Sequence, residues 1–198
     1  WAYPLGAIHF RLDALGAFFL AWSLPMTLLG SVYAVGYLGK HLDGPRHLGV
    51  HFAWLNLTAL SFLLVYTGEE VATFLAGWEI AAIAAWQLVI WDHTNQKVRF
   101  AGFNYLVSTH IGLIFLVAAI MILYTHSQSW YLKDLGGWME QHPGTLRNVV
   151  FLLLLTSFAL KSAFFPFHSW LPRTHAAAPA HVSALMSGVI HKAGLYAL

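Results

Sequence analysis

The stretch LLLLTSFALKSAFFPFHSWLP (residues 152–172) reads as a membrane-spanning helix that contains two residues such helices usually avoid. Lys161 follows a long apolar run, and a charge at membrane depth costs several kcal/mol. Pro166 comes five residues later, and proline removes a backbone donor and clashes with the preceding turn. The helix is therefore predicted to break just after Lys161, where freed carbonyl groups suit a cation. The structural alternative is a lysine that reaches the membrane surface past a simple kink.

The composition places this stretch in a polytopic membrane protein. Of 198 residues, 59% are hydrophobic and 9% are charged, whereas soluble domains carry about 25% charged residues. The absence of cysteine excludes a disulfide framework and a thiolate metal site. The net charge of +2 is not gathered in a basic cluster, so nucleic acid is not an expected partner. The chain begins without methionine and ends in an apolar run, so we expect it to be part of a longer protein.

Chemistry other than ion movement finds no support in the motifs. There is no glycine-rich phosphate loop, no haem-attachment motif, and no nucleophile with an adjacent base, so we expect no catalytic residue and no cofactor. The chain has 12 histidines, but no two have the helical arrangement of a zinc enzyme, which argues against a metal site.

Hydrophobic runs predict an all-α fold with about six transmembrane helices. The predicted spans are about 14–38, 49–67, 71–91, 100–124, 148–170 and 182–198, in a single transmembrane domain over residues 1–198. Pro25 lies inside the first span. The longest polar segment, 125–147, separates the fourth span from the fifth.

The distribution of basic residues predicts the orientation. Loops after the first, third and fifth spans carry five basic residues, and the opposite side carries three. These are Lys40, Arg46, Lys97, Arg99 and Arg173 against Arg11, Lys133 and Arg147. Because cytoplasmic loops are enriched in Lys and Arg, the first group is predicted to be cytoplasmic.

Three ionisable residues fall inside predicted spans: Glu79, Lys161 and Lys192. Such residues usually face a cavity or a partner and mark ion pathways. The alternatives are a protonated Glu79 that holds helices together and a Lys192 near the membrane surface. If Glu79 approaches Lys161, its carboxylate favours the charged form of that lysine. A charged Lys192 close to Lys161 would instead favour release of the proton from Lys161. Unit charges 4 Å apart interact by about 4 kcal/mol at an effective dielectric near 20.

Histidines extend this set of candidate proton carriers. His110 lies about ten residues into the fourth span, where a proton relay and an interhelical hydrogen bond remain equal alternatives. His191 adjoins Lys192, and His168 follows the predicted break. His168, His175 and His181 could line a proton uptake route, although a solvated loop is the alternative for the last two. Loop or interface positions are assigned to His9, His41, His47, His51, His93, His126 and His142.

Three motifs resemble a known family: FLAGWEIAAIAAW (74–86), ALKSAFFPFHSWLP (159–172) and THAAAPAHVSALMSGVIHKAGLYAL (174–198). They resemble the antiporter-like, proton-conducting membrane subunits, which include large membrane-arm subunits of complex I (NADH:quinone oxidoreductase) and Mrp antiporter subunits. The last run is most similar to the B component of hydrogenase-4 and to its formate hydrogenlyase counterpart. Arg173 departs from the acidic residue that many relatives carry.

The resemblance implies a fold, a function and a set of site residues. The fold would be the first five-helix repeat of about fourteen helices, plus one preceding helix, and the second repeat would be missing. Glu79, Lys161 and Lys192 would carry protons, with no cofactor, in a multi-pass subunit of a bacterial or archaeal cytoplasmic membrane. Partners would be other membrane subunits of a hydrogenase or complex I-like assembly.

Two other functions stay open. One is a cation/proton antiporter subunit of the Mrp type, which would exchange Na⁺ or K⁺. The other is a structural membrane anchor whose buried charges only hold helices together.

Overall fold

The computed structural model describes residues 8–39 and 47–197 of the protein. Within these ranges the chain forms nine α-helices and no β-strand. They are α1 (Ala14–Gly39), α2 (Leu48–Thr67), α3 (Val71–Val89), α4 (Gln96–Ser127), α5 (Leu132–Gln141), α6 (Thr145–Ser162), α7 (Leu171–Ala177), α8 (Ala180–Leu185) and α9 (Lys192–Ala197). The all-α prediction is confirmed. Lys40, His41 and Arg46, which the sequence assigns to a loop, lie outside the described residues.

Among the described residues, five helical segments are long and apolar enough to cross a membrane. They are α1, α2, α3 with the short 3₁₀ turn Ile90–Asp92, α4 and α6. Large apolar side chains cover the outer face of α1, where Phe18, Trp22 and Leu28 are exposed. Because exposure of so large an apolar face to water is unfavourable, this face fits a helix surrounded by lipid or by other membrane helices.

The last two predicted spans are divided into shorter pieces. The fifth, 148–170, contains α6 and then a non-helical turn, because α6 ends at Ser162. The sixth, 182–198, contains α8, a π-helical segment (Met186–Ile190) and α9. A π-helical segment often marks a functional position in a helix. Pro25, by contrast, lies within a continuous α1.

The polar segment 125–147 is more ordered than a loop. It contains the amphipathic helix α5, whose Leu135 is buried. Its start is tied to the turn between α2 and α3, since Val71 N–H donates to the Trp130 carbonyl and Leu132 N–H to that of Glu69, both over 2.9 Å. The segment therefore covers one end of the helix bundle.

Close helix packing brings the candidate site residues together. α2 packs along α3, α4 along α6, and α6 against α9. A Cβ atom on Gly77 would lie 2.7 Å from Leu64 Cβ, so α3 can approach α2 this closely only with glycine there. Gly194 likewise lets α9 approach Ser162 and the Phe158 carbonyl at the end of α6. The end of α6 is thus enclosed by α3, α4 and α9.

Candidate functional site

The helix break lies where the sequence predicts it. Ala163, with φ of 55°, caps α6 in the left-handed region, and the chain resumes as α7 only at Leu171. Pro166 lies in the intervening turn and cannot donate the hydrogen bond that would continue the helix to the Ser162 carbonyl. Trp170 Nε1 instead donates to the Leu160 carbonyl over 3.2 Å. An indole N–H therefore satisfies one of the carbonyl groups that the break leaves free.

Lys161 lies at this break and is buried, with 3% of its surface exposed. Its Nζ donates to the backbone carbonyl of Trp78 over 3.2 Å. The same Nζ lies 4.7 Å from the centre of the Trp78 ring, within the range of a cation–π contact. We call Lys161 and Trp78 the lysine site. Its ammonium group is held by a carbonyl dipole and an indole face.

Glu79 does not contact Lys161 directly. Among the described residues, Lys161 makes no ion pair within 4 Å, although Glu79 is close enough to interact with it electrostatically. From the sequence we expect Glu79 to lie near Lys161, and the structure places the two side chains within electrostatic range but not in direct contact. The reason is helical geometry: Trp78, one residue earlier, faces α6, and Glu79 turns about 100° away toward α4.

Glu79 pairs with His110 of α4. Glu79 Oε1 and His110 Nε2 are 3.0 Å apart, with 29% and 44% of the two side chains exposed. His110 Nδ1 is 2.9 Å from the Leu106 carbonyl. A carbonyl only accepts, so Nδ1 must carry a proton, and one further proton lies between Nε2 and the carboxylate. The pair is therefore either two neutral groups or an ion pair, and a shift of one proton interconverts them.

His191 and Lys192 lie where the π-helical segment meets α9. The N–H of His191 donates to the Met186 carbonyl over 3.1 Å, the spacing of a π turn. Ser162 Oγ donates to the His191 carbonyl over 3.1 Å, which ties this segment to the helix break. The His191 ring is buried, and its Nε2 has no hydrogen-bond partner among the described residues. Lys192 is half-buried.

The structure separates His168 from the other candidates. His168 is exposed on the turn after α6, with its ring 5.6 Å from that of Phe165. His175, for which a solvated loop is the sequence alternative, is half-buried in α7. Its Nδ1 lies 2.6 Å from Ser183 Oγ, and its ring lies 5.8 Å from that of His191. Burial lowers the pKa of His175 below that of a free histidine.

Sequence reasoning missed a second buried cluster. His51 and His181 are 1% and 2% exposed, and their Nε2 atoms are 2.7 Å apart. His51 is not a loop residue, because α2 already begins at Leu48. His181 is not in a solvated loop, which is one of its two sequence alternatives, because it is buried in α8, which begins at Ala180. A helical stripe marks His51 in the sequence, since its spacing continues through the buried residues Leu55, Thr58 and Phe62. No such stripe marks His181.

Comparisons with known proteins place the chain in a family. Residues 68–198 match the family described as "NADH:quinone oxidoreductase/Mrp antiporter, TM". The chain is 30% identical to Hydrogenase-4 component B of Escherichia coli, over 99% of this chain and 28% of the relative. It is 34% identical to NAD(P)H-quinone oxidoreductase chain 4-3 of Nostoc, over 89% of this chain and 31% of the relative. It is 32% identical to the putative antiporter subunit mnhA2 of Staphylococcus saprophyticus, over 96% of this chain and 24% of the relative.

The chain spans about a quarter to a third of the length of these relatives. The family match covers α3 to α9 and therefore contains the helix break, the lysine site and the Glu79–His110 pair. With several apolar helices, the chain is a multi-pass membrane protein, and it belongs to the NADH:quinone oxidoreductase/Mrp antiporter transmembrane family.

Proposed function

We propose that the chain is the proton-conducting part of a membrane subunit in a redox-driven complex of the hydrogenase-4 or NADH:quinone oxidoreductase type. It would itself carry no redox cofactor. The similarity to Hydrogenase-4 component B over 99% of the chain supports this class of complex. Its partners would be neighbouring membrane subunits, in a bacterial or archaeal cytoplasmic membrane.

The observation that carries the proposal is the isolation of Lys161. A lysine that only joined helices would gain most from a carboxylate, and leaving a buried charge without one is costly. Here the ammonium group has a carbonyl and an indole face instead. When Lys161 releases its proton, no carboxylate is left unpaired beside it. The site therefore suits a lysine that cycles between charged and neutral forms.

Three groups would then act in sequence. The Glu79–His110 pair holds one mobile proton and adjusts the charge near Lys161. The helix break supplies polar backbone around Lys161, and water could enter there. Lys192, on the next helical segment, would bias Lys161 toward release when charged and would receive the proton onward. His191 adjoins both lysines in this scheme, whereas exposed His168 would act at the surface.

Replacement of Lys161 by alanine in the full-length subunit, assembled in its complex, tests this proposal. Inverted membrane vesicles would report proton uptake by fluorescence quenching, with electron transfer measured in the same sample. We expect proton uptake per electron to fall at least about tenfold while assembly is retained. Lys133→Ala, at an exposed position of α5, is the matched control. Normal proton uptake in Lys161→Ala would instead support a structural anchor.

The antiporter alternative has its own supporting observation. The relative named as a putative antiporter subunit is 32% identical over 96% of this chain. In the same vesicles, addition of Na⁺ or K⁺ to a preformed proton gradient separates the two functions. Cation-dependent loss of the gradient without electron transfer would favour the antiporter. A gradient that forms only during electron transfer and ignores both cations would favour the redox-driven pump.

A further inference from the structure

The geometry points to the histidine pair, His51 and His181, as a proton-uptake relay that joins a cavity at one end of the bundle to its interior. This inference rests on the proposed proton-translocating function and adds a site to it. The pair joins α2 to α8, outside the lysine site and the Glu79–His110 pair. Four observations support it: burial, tautomer chemistry, an adjoining cavity and an inward connection.

Burial of two unsatisfied nitrogen atoms is the first observation. Both rings are almost fully buried, and each Nδ1 lacks a hydrogen-bond partner among the described residues. An unsatisfied buried polar atom costs about 1–3 kcal/mol, so such atoms usually have a ligand, a water molecule or a functional role. A simple clamp between α2 and α8 would not need two titratable rings.

The contact between the rings fixes how protons are arranged. With Nε2 atoms 2.7 Å apart and both rings neutral, one Nε2 carries a proton and donates it to the other. The donor ring then has a bare Nδ1, and the acceptor ring has a protonated Nδ1. The pair thus presents a proton acceptor at one outer end and a proton donor at the other.

This arrangement can pass one proton without gaining or losing any. A proton binds the bare Nδ1 of the first ring, and the shared Nε2 proton moves to the second ring. The second ring then releases its Nδ1 proton. One proton has entered and one has left, and both rings must turn before the next transfer. In the intermediate state the two rings share one extra proton.

A cavity gives His51 access to one end of the bundle. The cavity has a volume of about 430 Å³ and lies between the start of α2 and the end of α3. Its lining includes His47, His51, Trp54, Gln87, Trp91 and His93. This is the end that carries Lys97 and Arg99, which the charge distribution predicts to be cytoplasmic. His51 is therefore the ring that would take up a proton.

The helix that carries His181 also leads toward the helix break. Two residues beyond His181, Ser183 Oγ contacts His175 Nδ1 over 2.6 Å. The His175 ring lies 5.8 Å from that of His191, which is joined to Ser162 through its carbonyl. His181 is thus the ring that would deliver the proton inward. The other titratable groups that face the pair are Tyr33 and Tyr37 on α1, whose rings flank His181, and His47 and His93 on the cavity wall.

Substitutions that keep the interhelical contact but remove the titratable ring test the relay. His51→Gln and His181→Gln retain an amide that can hydrogen-bond across the pair. In vesicles of the assembled complex, we expect each to lower proton uptake per electron at least about tenfold, with assembly unchanged. His142→Gln, an exposed histidine after α5, is the control and should leave uptake unchanged.

Chemical rescue separates a relay from a structural clamp. His51→Ala enlarges the space beside the cavity, and added imidazole should restore proton uptake in this variant at least about threefold. Lys161→Ala should show no rescue. Normal uptake in both glutamine variants, or no rescue in His51→Ala, would overturn the relay. Because Lys161→Ala tests the proposed function separately, a failed relay beside an inactive Lys161→Ala would leave that function intact.

Discussion

Trp78 and Glu79 are neighbours in the sequence, yet they belong to two polar sites of opposite character. Trp78 turns toward α6 and holds the buried ammonium group of Lys161 without a carboxylate in contact. Glu79 turns toward α4 and pairs with His110 at a partly exposed position. The first site isolates a charge, and the second shares a proton between an acid and a base. One helix can thus present two kinds of proton site at similar membrane depth, because consecutive residues point about 100° apart.

The isolated charge of the lysine site should matter most for proton transfer. If isolation serves that transfer, Lys161→Met should abolish proton uptake per electron. The same change should leave stability unchanged or raise it by about 1–3 kcal/mol, since an apolar side chain of similar length replaces a buried cation. Thermal unfolding of the purified complex in detergent, followed by tryptophan fluorescence, measures the second effect. Strong destabilisation by Lys161→Met would show that the lysine supports the fold instead.

Disruption of the Glu79–His110 pair should lower proton uptake less than disruption of the lysine site. Glu79→Gln keeps a hydrogen bond to His110 but removes the carboxylate that shares the proton. We expect proton uptake to fall about tenfold, less than the loss in Lys161→Met, with assembly retained.

A double-mutant cycle sharpens this expectation. If the two side chains share one proton, Glu79→Gln and His110→Gln together should cost little more than either change alone. Fully additive losses, measured as proton uptake per electron, would show that the two residues act separately.

The sequence was sufficient for the helix break, because Lys161 and Pro166 violate the pattern of a membrane helix within six residues. It was also sufficient to select Glu79 and His110 as unusual groups inside spans. It could not pair them, since the rotation of α3 against α4 and α6 depends on packing at positions such as Gly77. The sequence could not decide between an uptake route and a solvated loop for His181 for a similar reason: the run THAAAPAH resembles a loop, and only the fold buries its last residue against α2.

Both sites depend on how closely α3 packs against α2. Gly77→Ala places a Cβ atom against Leu64 and the Ser61 carbonyl, and overpacking of this kind costs about 1–3 kcal/mol. We therefore expect a lower unfolding temperature and reduced proton uptake. Gly36→Ala is the matched control, because a Cβ there meets nothing within 4 Å and alanine favours the helix by about 0.5–1 kcal/mol. Equal melting temperatures for the two variants would contradict the close approach of α2 and α3.

The smallest effect should come from the support behind the lysine site. Trp170→Phe keeps an aromatic ring beside Tyr105 and His191 but removes the N–H that bonds the Leu160 carbonyl. The loss of one buried hydrogen bond should destabilise the protein by about 1 kcal/mol. The freed carbonyl of Leu160 lies next to Lys161 in the chain, so proton uptake should also fall. The control is Trp138→Phe, at a position in α5 outside the helix break, and it should lower proton uptake less. Equal uptake in these two variants would mean that the carbonyl groups at the break do not help to hold the lysine.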